Sequence, residues 1–291
     1  MDTDALIEWA LERAVTASES RGAPPKLGAA IRHAVFPGGA RVRPQLALAV
    51  AYACSDADNL QCAAGAGAAI ELLHCASLVH DDLPCFDDAD RRRGKPSVHR
   101  SYGEALAVLT GDALIIAAFE TLRREATDRP HVLPQLLDIL TEAVGTPNGI
   151  IAGQAWESEA ELDLVAYHRA KTGALFVAAA AAGAASVGAD PAPWRALGER
   201  LGEAYQVADD LRDAVMEADA LGKPSRQDAA HNRPSAVAAL GLDGAVARLN
   251  GLIEQAANSV PECRGSGMLR KLVYAQAARL MPPTLVPSAA E

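Results

Sequence analysis

The spacing of apolar residues predicts helices along most of the chain. Apolar side chains recur three or four positions apart, and the stretches with this pattern are separated by Asp, Gly and Pro clusters. The predicted helices cover residues 2–20, 46–54, 61–82, 104–126, 133–144, 167–187, 193–216, 236–257 and 269–280. No segment alternates between apolar and polar residues as a half-buried strand does, so we expect an all-α fold.

One helical domain over residues 1–291 is the expected organisation. The chain has no internal repeat of fixed period, and no Ser-rich or Gly-rich linker marks a domain boundary. The segment 281–291 has little to bury and is predicted to be a loose tail. Half of the residues are hydrophobic but only 4% are aromatic, a composition that favours helices packed closely through small side chains.

Charge, hydropathy and cysteine content narrow the classes of function. The formal net charge of -10 gives no support to a nucleic-acid partner, because phosphate backbones select a basic face. The longest apolar run, 174–188, is too short and too rich in alanine for a membrane span, and we find no signal-peptide pattern. The five cysteines form no Cys-x-x-Cys pair, so we expect a reducing cytoplasm rather than disulfides or a structural zinc site.

The candidate chemistry lies in two acidic clusters. The run 80–88 (HDDLPCFDD) ends an apolar helical stretch and is followed by the basic run 91–95 (RRRGK). Far downstream, Asp209 and Asp213 lie one turn apart on a predicted helix and therefore project from one face. Mg²⁺ usually takes one or two carboxylates and leaves its other positions to water and phosphate oxygens. Either cluster alone is typical of a solvated helix end, whereas the two together suit a diphosphate.

Two other kinds of site are poorly supported by the same residues. An EF-hand calcium loop over 87–93 needs alternating acidic ligands, a central glycine and a terminal glutamate, which this segment lacks. Cys75, Ser77 and Cys85 have no nucleophile motif around them. We interpret these three as packing residues.

Several motifs in a fixed order give the chain a resemblance to the trans-isoprenyl diphosphate synthases, also called polyprenyl synthetases. The resemblance spans roughly residues 26–241. Its landmarks are the segment 38–44 (GGARVRP), the first acidic motif with its Arg-Arg-Gly sequel, Gly153-Gln154, Lys171-Thr172-Gly173, Tyr205-Gln206, the second acidic motif and Leu221-Gly222-Lys223. The chain is most similar to the bacterial geranylgeranyl diphosphate synthases. This resemblance implies a helical bundle of the isoprenoid synthase type with a central cavity, and usually a homodimer.

The resemblance also implies roles for individual residues. The magnesium ligands, for three ions, would be Asp81, Asp82, Asp87, Asp209 and Asp213, with Asp210 nearby. The allylic diphosphate would be bound by Arg92, Lys171 and Lys223, and isopentenyl diphosphate by Arg43, His74 and Arg93. Thr172 and Gln206 would turn their dipoles towards the allylic cation, and Arg233 would join the substrate-binding residues. The expected catalytic residues are Asp81, Asp87, Arg92, Lys171, Thr172, Gln206 and Lys223.

Helix geometry places a condition on the first motif. Asp81 and Asp87 lie about 240° apart on an ideal helix, so they can share ions only if the chain leaves helical geometry between them. Pro84 supplies such a break.

The implied reaction joins an allylic diphosphate to isopentenyl diphosphate. Departure of pyrophosphate, assisted by metal, leaves an allylic cation that the double bond of isopentenyl diphosphate attacks, and a proton is then lost. In the family the departing pyrophosphate takes that proton, so no side-chain base is required. Water has to be excluded, because it would capture the cation as an alcohol. The product could serve carotenoid biosynthesis, chlorophyll side chains or quinones.

The resemblance also implies that product length depends on the residues beneath the first motif. On ideal geometry Ser77, Leu73 and Ile70 lie within about 80° of the face that bears Asp81, and Ala76 flanks them. The small residues Ala76 and Ser77 leave room for the hydrocarbon tail of the product, whereas Leu73 and Ile70 would close the pocket below them. This favours the twenty-carbon product, with farnesyl diphosphate as the alternative. The small residues could also serve helix packing alone.

Three positions depart from the family pattern and motivate rival hypotheses. Ala40 replaces a lysine of the isopentenyl diphosphate pocket, Glu157 stands where aspartate is common, and Arg233 replaces a lysine. The change at Ala40 removes a charge-assisted bond of about 1.5 to 3 kcal/mol unless Arg41 or another group substitutes. A non-catalytic partner subunit of another prenyl synthase would be free to lose its aspartates, which this chain keeps. A terpene cyclase usually mixes Asn, Ser and Glu in its second metal site, whereas the candidate ligands in the second motif of this chain are all aspartates, at positions 209, 210 and 213.

Overall fold

The chain folds into helices joined by short turns. The computed structural model describes residues 3–36, 38–55, 60–161, 163–215 and 235–280. Its α-helices are α1 (Thr3–Ser18), α2 (Pro25–Val35), α3 (Val42–Cys54), α4 (Gln61–Asp81), α5 (Val98–Tyr102), α6 (Glu104–Glu125), α7 (Leu133–Val144), α8 (Ile150–Ala155), α9 (Leu164–His168), α10 (Ala174–Ser186), α11 (Arg195–Val215), α12 (Ala236–Asn258) and α13 (Ser266–Leu280). Single 3₁₀ turns lie at Pro130–Val132, Trp156–Ser158 and Ala192–Trp194, and a π-helical turn lies at Arg169–Gly173. The predicted all-α fold is confirmed.

One short hairpin interrupts the helical pattern. Strand β1 (Arg91–Arg92) pairs antiparallel with β2 (Lys95–Pro96). The two residues between them, Arg93 and Gly94, have φ angles of 52° and 78°, as the residues of a type I′ turn do. The sequence pattern does not predict this hairpin, because two residues per strand are too few to show alternation.

Helices α4 and α10 form the centre of the molecule. Helix α4 packs against α3, α6 and α10, and α10 packs in addition against α7 and α11. Both central helices are surrounded by others, so they are apolar around most of their circumference. One apolar cluster extends from α1 to α13, and a second lies between α11 and α12 and meets the first at Tyr205. The expectation of a single domain stays a prediction.

Most predicted helices are confirmed, and the differences have local causes. The predicted helix 167–187 is divided into α9, the π-helical turn and α10. The prediction contains no helix at α2, which begins at the second of two consecutive prolines; proline often marks a break but fits the first turn of a helix well. For the same reason α3 begins at Val42, with Pro44 in its first turn, rather than at residue 46. The tail 281–291 lies outside the described residues.

Three helices are long and apolar enough to cross a membrane by length and composition alone. They are α4, α6 and α12, and the buried share of their apolar windows is 83%, 44% and 22%. The largely buried α4 is accounted for by its central position in the fold. The expectation that the chain has no membrane span stays a prediction.

Close approach of α3 and α10 requires a residue without a side chain at Gly183. A Cβ atom built there would lie 2.3 Å from the carbonyl oxygen of Ala47 on α3. We therefore expect Gly183→Ala to lower the free energy of unfolding by about 1 to 3 kcal/mol, because the backbones must move apart. Chemical denaturation measures this change.

Gly251 on α12 is the matched control for that substitution. A Cβ atom there would have no neighbour within 4 Å, so Gly251→Ala should stabilise the helix by about 0.5 to 1 kcal/mol. Equal effects of the two substitutions would contradict the packing of α10 on α3 described here.

Candidate active site

A single large cavity brings together most of the residues that the sequence singles out. Its volume is about 660 Å³, within the usual range of about 300 to 1,000 Å³ for ligand sites. The predicted site residues in its lining are Arg43, Leu73, His74, Ala76, Ser77, Asp81, Asp87, Arg92, Lys171, Thr172, Gln206, Asp209 and Asp213. Asp209 is half exposed whereas Leu73 is fully buried, so the cavity has a charged outer end and an apolar inner end.

The first acidic motif turns back on itself directly after α4. The helix ends at Asp81, and the backbone N–H of Asp87 then donates to the carbonyl oxygen of Asp81 at 3.0 Å. The N–H of Ala89 likewise donates to the carbonyl of Asp82 at 3.2 Å. The chain therefore leaves helical geometry between the two predicted metal ligands, as predicted, and Pro84 lies within this turn.

Asp81 occupies a buried and charged environment. Burial raises the pKa of Asp81, against the nearby positive charge of Lys171, and the like charge of Asp87 adds to the rise. Its Oδ1 lies 3.8 Å from Lys171 Nζ and has no hydrogen-bond partner among the described residues. A buried carboxylate oxygen without a hydrogen bond is a favourable position for a cation.

Asp82 lies elsewhere than its predicted role as a metal ligand requires. Its carboxylate is buried, accepts hydrogen bonds from Arg92 Nε at 3.0 Å and Nη2 at 2.5 Å, and is absent from the lining of the cavity. The physical reason is that Asp82, which caps the end of α4, turns its carboxylate to the hairpin, where Arg92 binds it through two nitrogens. In this position Asp82 orients Arg92, which does line the cavity.

The second acidic motif behaves as the one-turn spacing predicts. Asp209 and Asp213 both reach the cavity from α11. Asp210 points away and is buried, where it accepts from Gln206 Nε2 at 2.9 Å and from the backbone N–H of Ala236 at 2.7 Å. Burial raises the pKa of Asp210. Its contacts attach the first turn of α12 to the helix that carries the motif.

Two glycines bring the Lys171-Thr172 turn close to its neighbours. A Cβ at Gly153 of α8 would lie 2.4 Å from the backbone nitrogen of Lys171, and one at Gly202 of α11 would lie 2.7 Å from the Cα of Gly173. The π-helical turn is thus held between α8 and α11. This is a physical reason for the Gly153-Gln154 landmark.

The side chains of that turn are already paired. Lys171 Nζ lies 2.5 Å from Glu157 Oε1, and the hydroxyl of Tyr167 donates to the same oxygen at 2.7 Å. Thr172 Oγ1 donates to Gln206 Oε1 at 2.8 Å. Glu157, which the sequence marks only as a departure from the family, is therefore the partner of a predicted phosphate-binding lysine.

The predicted isopentenyl diphosphate cations lie around the end of the cavity near α3. Arg43 and His74 line it, and Arg93 lies beside a small adjoining cavity whose wall also includes Arg92. The guanidinium of Arg43 lies 4.7 Å from the ring centre of Phe176, and its Nε has no hydrogen-bond partner among the described residues. Burial lowers the pKa of Arg43, and burial together with the neighbouring arginines lowers the pKa of His74 well below its usual 6.5.

Arg41 does not replace the lysine that Ala40 lacks. Its side chain is buried and donates to Glu8 at 2.8 Å, to Glu71 at 2.9 Å and to the carbonyl of Val35 at 3.0 Å. Ala40 itself is exposed. The cation lost at position 40 is therefore not recovered by the next residue.

The residues predicted to set product length lie where expected on α4. Ser77, Ala76 and Leu73 all line the cavity, whereas Ile70 is buried outside the lining. From Asp81 to Leu73 the cavity follows the helix for about 12 Å, at 1.5 Å per residue. The small side chains thus border open space as well as packing against neighbours.

Two predicted site residues lie outside the described part of the chain, and one residue near the site, Glu71, was not predicted from the sequence. Lys223 and Arg233 lie outside the described residues, so their roles stay predictions. Glu71, which pairs with Arg41, was missed by sequence reasoning. The available signal was that residues 62–79 contain no other Asp, Glu, Lys or Arg, and a lone charge in a buried helix requires a partner.

Comparison with known proteins gives matches over nearly the whole chain. The family model described as polyprenyl synthetase matches residues 24–265. The chain is 53% identical over 276 residues to the geranylgeranyl diphosphate synthase of Cereibacter sphaeroides, covering 95% of this chain and 96% of that protein. It is 48% identical over 291 residues to the geranylgeranyl diphosphate synthase of Rhodobacter capsulatus, covering 100% and 99%. A solved geranyltransferase of Helicobacter pylori, complexed with magnesium and isoprenyl diphosphate, has a TM-score of 0.79 at 27% identity over 96% of this chain and 98% of that chain.

The environment of His74 predicts a pH dependence of stability. The pKa of His74 is depressed in the folded protein, so below about pH 6.5 the unfolded chain takes up a proton while the folded protein does not. The free energy of unfolding therefore decreases as the pH is lowered. We expect His74→Gln to remove a loss of up to about 1.4 kcal/mol per pH unit. Urea unfolding from about pH 7.5 to 5.5 measures it, and the exposed His131→Gln is the control. Parallel slopes in all three proteins would contradict this assignment.

Proposed function

Because this chain belongs to the polyprenyl synthetase family, we propose that it is a magnesium-dependent trans-prenyltransferase. It joins isopentenyl diphosphate to an allylic diphosphate and stops at geranylgeranyl diphosphate. The observation that carries the proposal is one cavity with carboxylates and cations at its outer end and apolar side chains at its inner end. This is the shape that a diphosphate with a hydrocarbon tail requires.

The carboxylates fit Mg²⁺ that is shared with a substrate. Among the described residues no three His, Cys, Asp or Glu side chains converge on one point, so these residues do not by themselves complete a metal site. Mg²⁺ characteristically takes its remaining ligands from water and phosphate. The ligands would be Asp81, Asp87, Asp209 and Asp213, and the expectation of three ions is part of the proposal. Bound there, Mg²⁺ would neutralise charge on the diphosphate and assist its departure.

The cations beside these carboxylates hold the allylic diphosphate. Arg92 is held by Asp82 through Nε and Nη2, which leaves its other donors for phosphate oxygens. Lys171 would exchange its contact with Glu157 for a phosphate, and its positive charge would then stabilise the departing pyrophosphate. Lys223 is proposed as a third cation on the strength of its motif.

The inner part of the cavity protects the allylic cation. Apolar side chains such as Leu73, Ile115 and Leu175 line it and exclude water, which would otherwise capture the cation. Thr172 donates its hydroxyl proton to Gln206, so the oxygen lone pairs of Thr172 remain available to the positive charge. The departing pyrophosphate accepts the final proton in this scheme.

The rival hypotheses are less well supported by the site. A non-catalytic partner subunit has no need of two aspartate motifs on one cavity, yet all four of their lining aspartates are present. A farnesyl diphosphate synthase would need its cavity closed near the first motif, where Ala76 and Ser77 are small. These observations favour the twenty-carbon product.

Assembly and location belong to the same proposal. Helix α6 exposes Val108, Leu109 and Ile116, at 43%, 51% and 68% of their surface, and exposed apolar patches of this kind are typical of interfaces. This supports a homodimer in which α6 is covered. We propose a cytoplasmic enzyme and keep carotenoid biosynthesis as one destination of its product.

The experiment that tests the proposed function is a product analysis. Purified protein is incubated with Mg²⁺, labelled isopentenyl diphosphate and, in parallel, dimethylallyl, geranyl or farnesyl diphosphate, and the dephosphorylated products are separated by chromatography. We expect a twenty-carbon alcohol. A product of another length would support the prenyltransferase reaction but contradict the assignment of the chain-length residues. The absence of product with every primer would favour the hypothesis of a non-catalytic partner subunit.

Removal of one aspartate from either motif should abolish turnover. We expect Asp81→Ala and Asp209→Ala each to lower kcat by at least about 100-fold, the size of effect seen when a transition-state charge loses its stabilisation. The exposed Asp138→Ala on α7 is the control, and circular dichroism checks the fold. Unchanged activity in both motif variants would refute the metal assignment.

A large side chain at the inner wall should shorten the product. Ala76→Phe fills the cavity one turn below the first motif, so we expect products of fifteen carbons or fewer. Ile151→Phe adds a ring at a half-exposed lining position and should leave product length unchanged. The same product profile from Ala76→Phe and the wild type would eliminate the tail channel along α4.

A further inference from the structure

We propose that Glu71 is a positioning residue for isopentenyl diphosphate, because its buried carboxylate orients Arg93. The inference rests on the proposed function and adds a residue to it. Glu71 is 2% exposed on α4, one turn from His74. Its Oε1 lies 2.9 Å from Arg41 Nη1 and 3.7 Å from Arg93 Nη2.

Arg41 fixes the carboxylate from one side. The residue precedes α3 with a φ of 47°, and its guanidinium binds Glu8 of α1, Glu71 of α4 and the carbonyl of Val35 at the end of α2. All of its contacts are thus directed away from the cavity. Arg41 locks Glu71 in place and is not itself available to a substrate.

Arg93 approaches the carboxylate from the other side. It occupies the type I′ turn of the hairpin, and its guanidinium lies so close to Gly39 that a Cβ there would be 2.8 Å from Arg93 Cζ. Burial raises the pKa of Cys75, one turn beyond Glu71, and the nearby positive charge of Arg93 opposes this rise. The guanidinium is therefore held between the loop before α3 and the buried face of α4.

The absence of a lysine at position 40 increases the importance of this arrangement. The charged groups around this end of the cavity are Arg43 and Arg41 from α3 and its N-terminus, Arg92 and Arg93 from the hairpin, and Glu71 from α4, where His74 also lies. Arg41 is committed to carboxylates and Arg92 to Asp82. Of these four arginines, Arg43 and Arg93 remain for a second diphosphate, so the orientation of Arg93 contributes to its recognition.

Simple electrostatics predicts that removing the charge of Glu71 would strengthen phosphate binding, which is the opposite of what a positioning role predicts. A negative charge near Arg43 and Arg93 repels a phosphate, so its removal alone would tighten binding. A positioning role predicts weaker binding, because a released guanidinium loses the geometry needed for bidentate contacts. The sign of the change in affinity therefore separates the two effects.

The test compares steady-state kinetics and calorimetric binding of isopentenyl diphosphate for the wild type, Glu71→Gln and Glu71→Asp. We expect Glu71→Gln to raise the KM and the Kd for isopentenyl diphosphate at least tenfold, with kcat and the KM for farnesyl diphosphate changed less than threefold. Glu71→Asp keeps the charge and should recover part of the affinity.

Glu125→Gln is the matched control. Glu125 on α6 is equally buried and pairs with Arg13, Arg124 and Gln61, far from the lining of the cavity. It should lower stability without changing either KM. Gly39→Ala is a second variant that displaces Arg93 without altering Glu71, and it should reproduce the rise in KM for isopentenyl diphosphate even if Glu71→Gln does not fold.

The outcomes are distinguishable. An active wild type with unchanged or tighter binding of isopentenyl diphosphate in Glu71→Gln and Gly39→Ala would overturn the role of Glu71 and leave the proposed function intact. Equal rises in the KM of both substrates would also overturn it, since that would indicate a general structural role. A wild type that neither binds isopentenyl diphosphate nor turns it over would refute the proposed function together with this inference.

Discussion

Helix α4 has to end at Asp81 for the two carboxylates of the first motif to reach one cavity. On a continuous helix Asp81 and Asp87 would point about 240° apart. Instead, the chain turns back after Asp81, and the backbone N–H of Asp87 donates a hydrogen bond to the carbonyl oxygen of Asp81 at 3.0 Å. The same helix continues inwards with Ser77, Ala76 and Leu73 along the cavity. One element therefore fixes both where a diphosphate would bind and where its hydrocarbon tail would lie.

Three cations near the cavity each have a carboxylate partner that is not among the proposed metal ligands. Arg92 is paired with Asp82, Lys171 with Glu157 and Arg41 with Glu71, so a carboxylate outside the metal-binding set holds each of these cations. The proposed metal ligands Asp81, Asp87, Asp209 and Asp213 line the cavity, where Asp81 lies 3.8 Å from Lys171 and Asp209 lies 3.6 Å from Arg212. This arrangement is preorganised: a substrate would exchange existing ion pairs for contacts with phosphate and would not have to assemble the cations from solvent.

The sequence predicts the parts of this structure that are local. Helical periodicity locates the long helices, and the one-turn spacing of Asp209 and Asp213 places both on one face, as the structure confirms. The contacts of Glu71 with Arg41, and of Lys171 with Glu157, join residues 30 and 14 positions apart, and no periodicity encodes such pairings. The burial of Asp82 depends on how the chain turns at the end of α4 and on its contact with Arg92, ten residues further on, and the local sequence pattern does not encode either. The hairpin at 91–96 is too short for any pattern to detect.

In the proposed site, the carboxylates at the outer end of the cavity bind a diphosphate only through a divalent cation. Calorimetric titration of the wild-type protein with inorganic pyrophosphate, in Mg²⁺ and in EDTA, tests it most directly. Without metal, the negative carboxylates should oppose the arginines and lysines, so we expect the Kd to be at least about 100-fold larger in EDTA, a difference of about 2.8 kcal/mol. The same Kd in both solutions would show that the cations bind the diphosphate alone and would contradict the account.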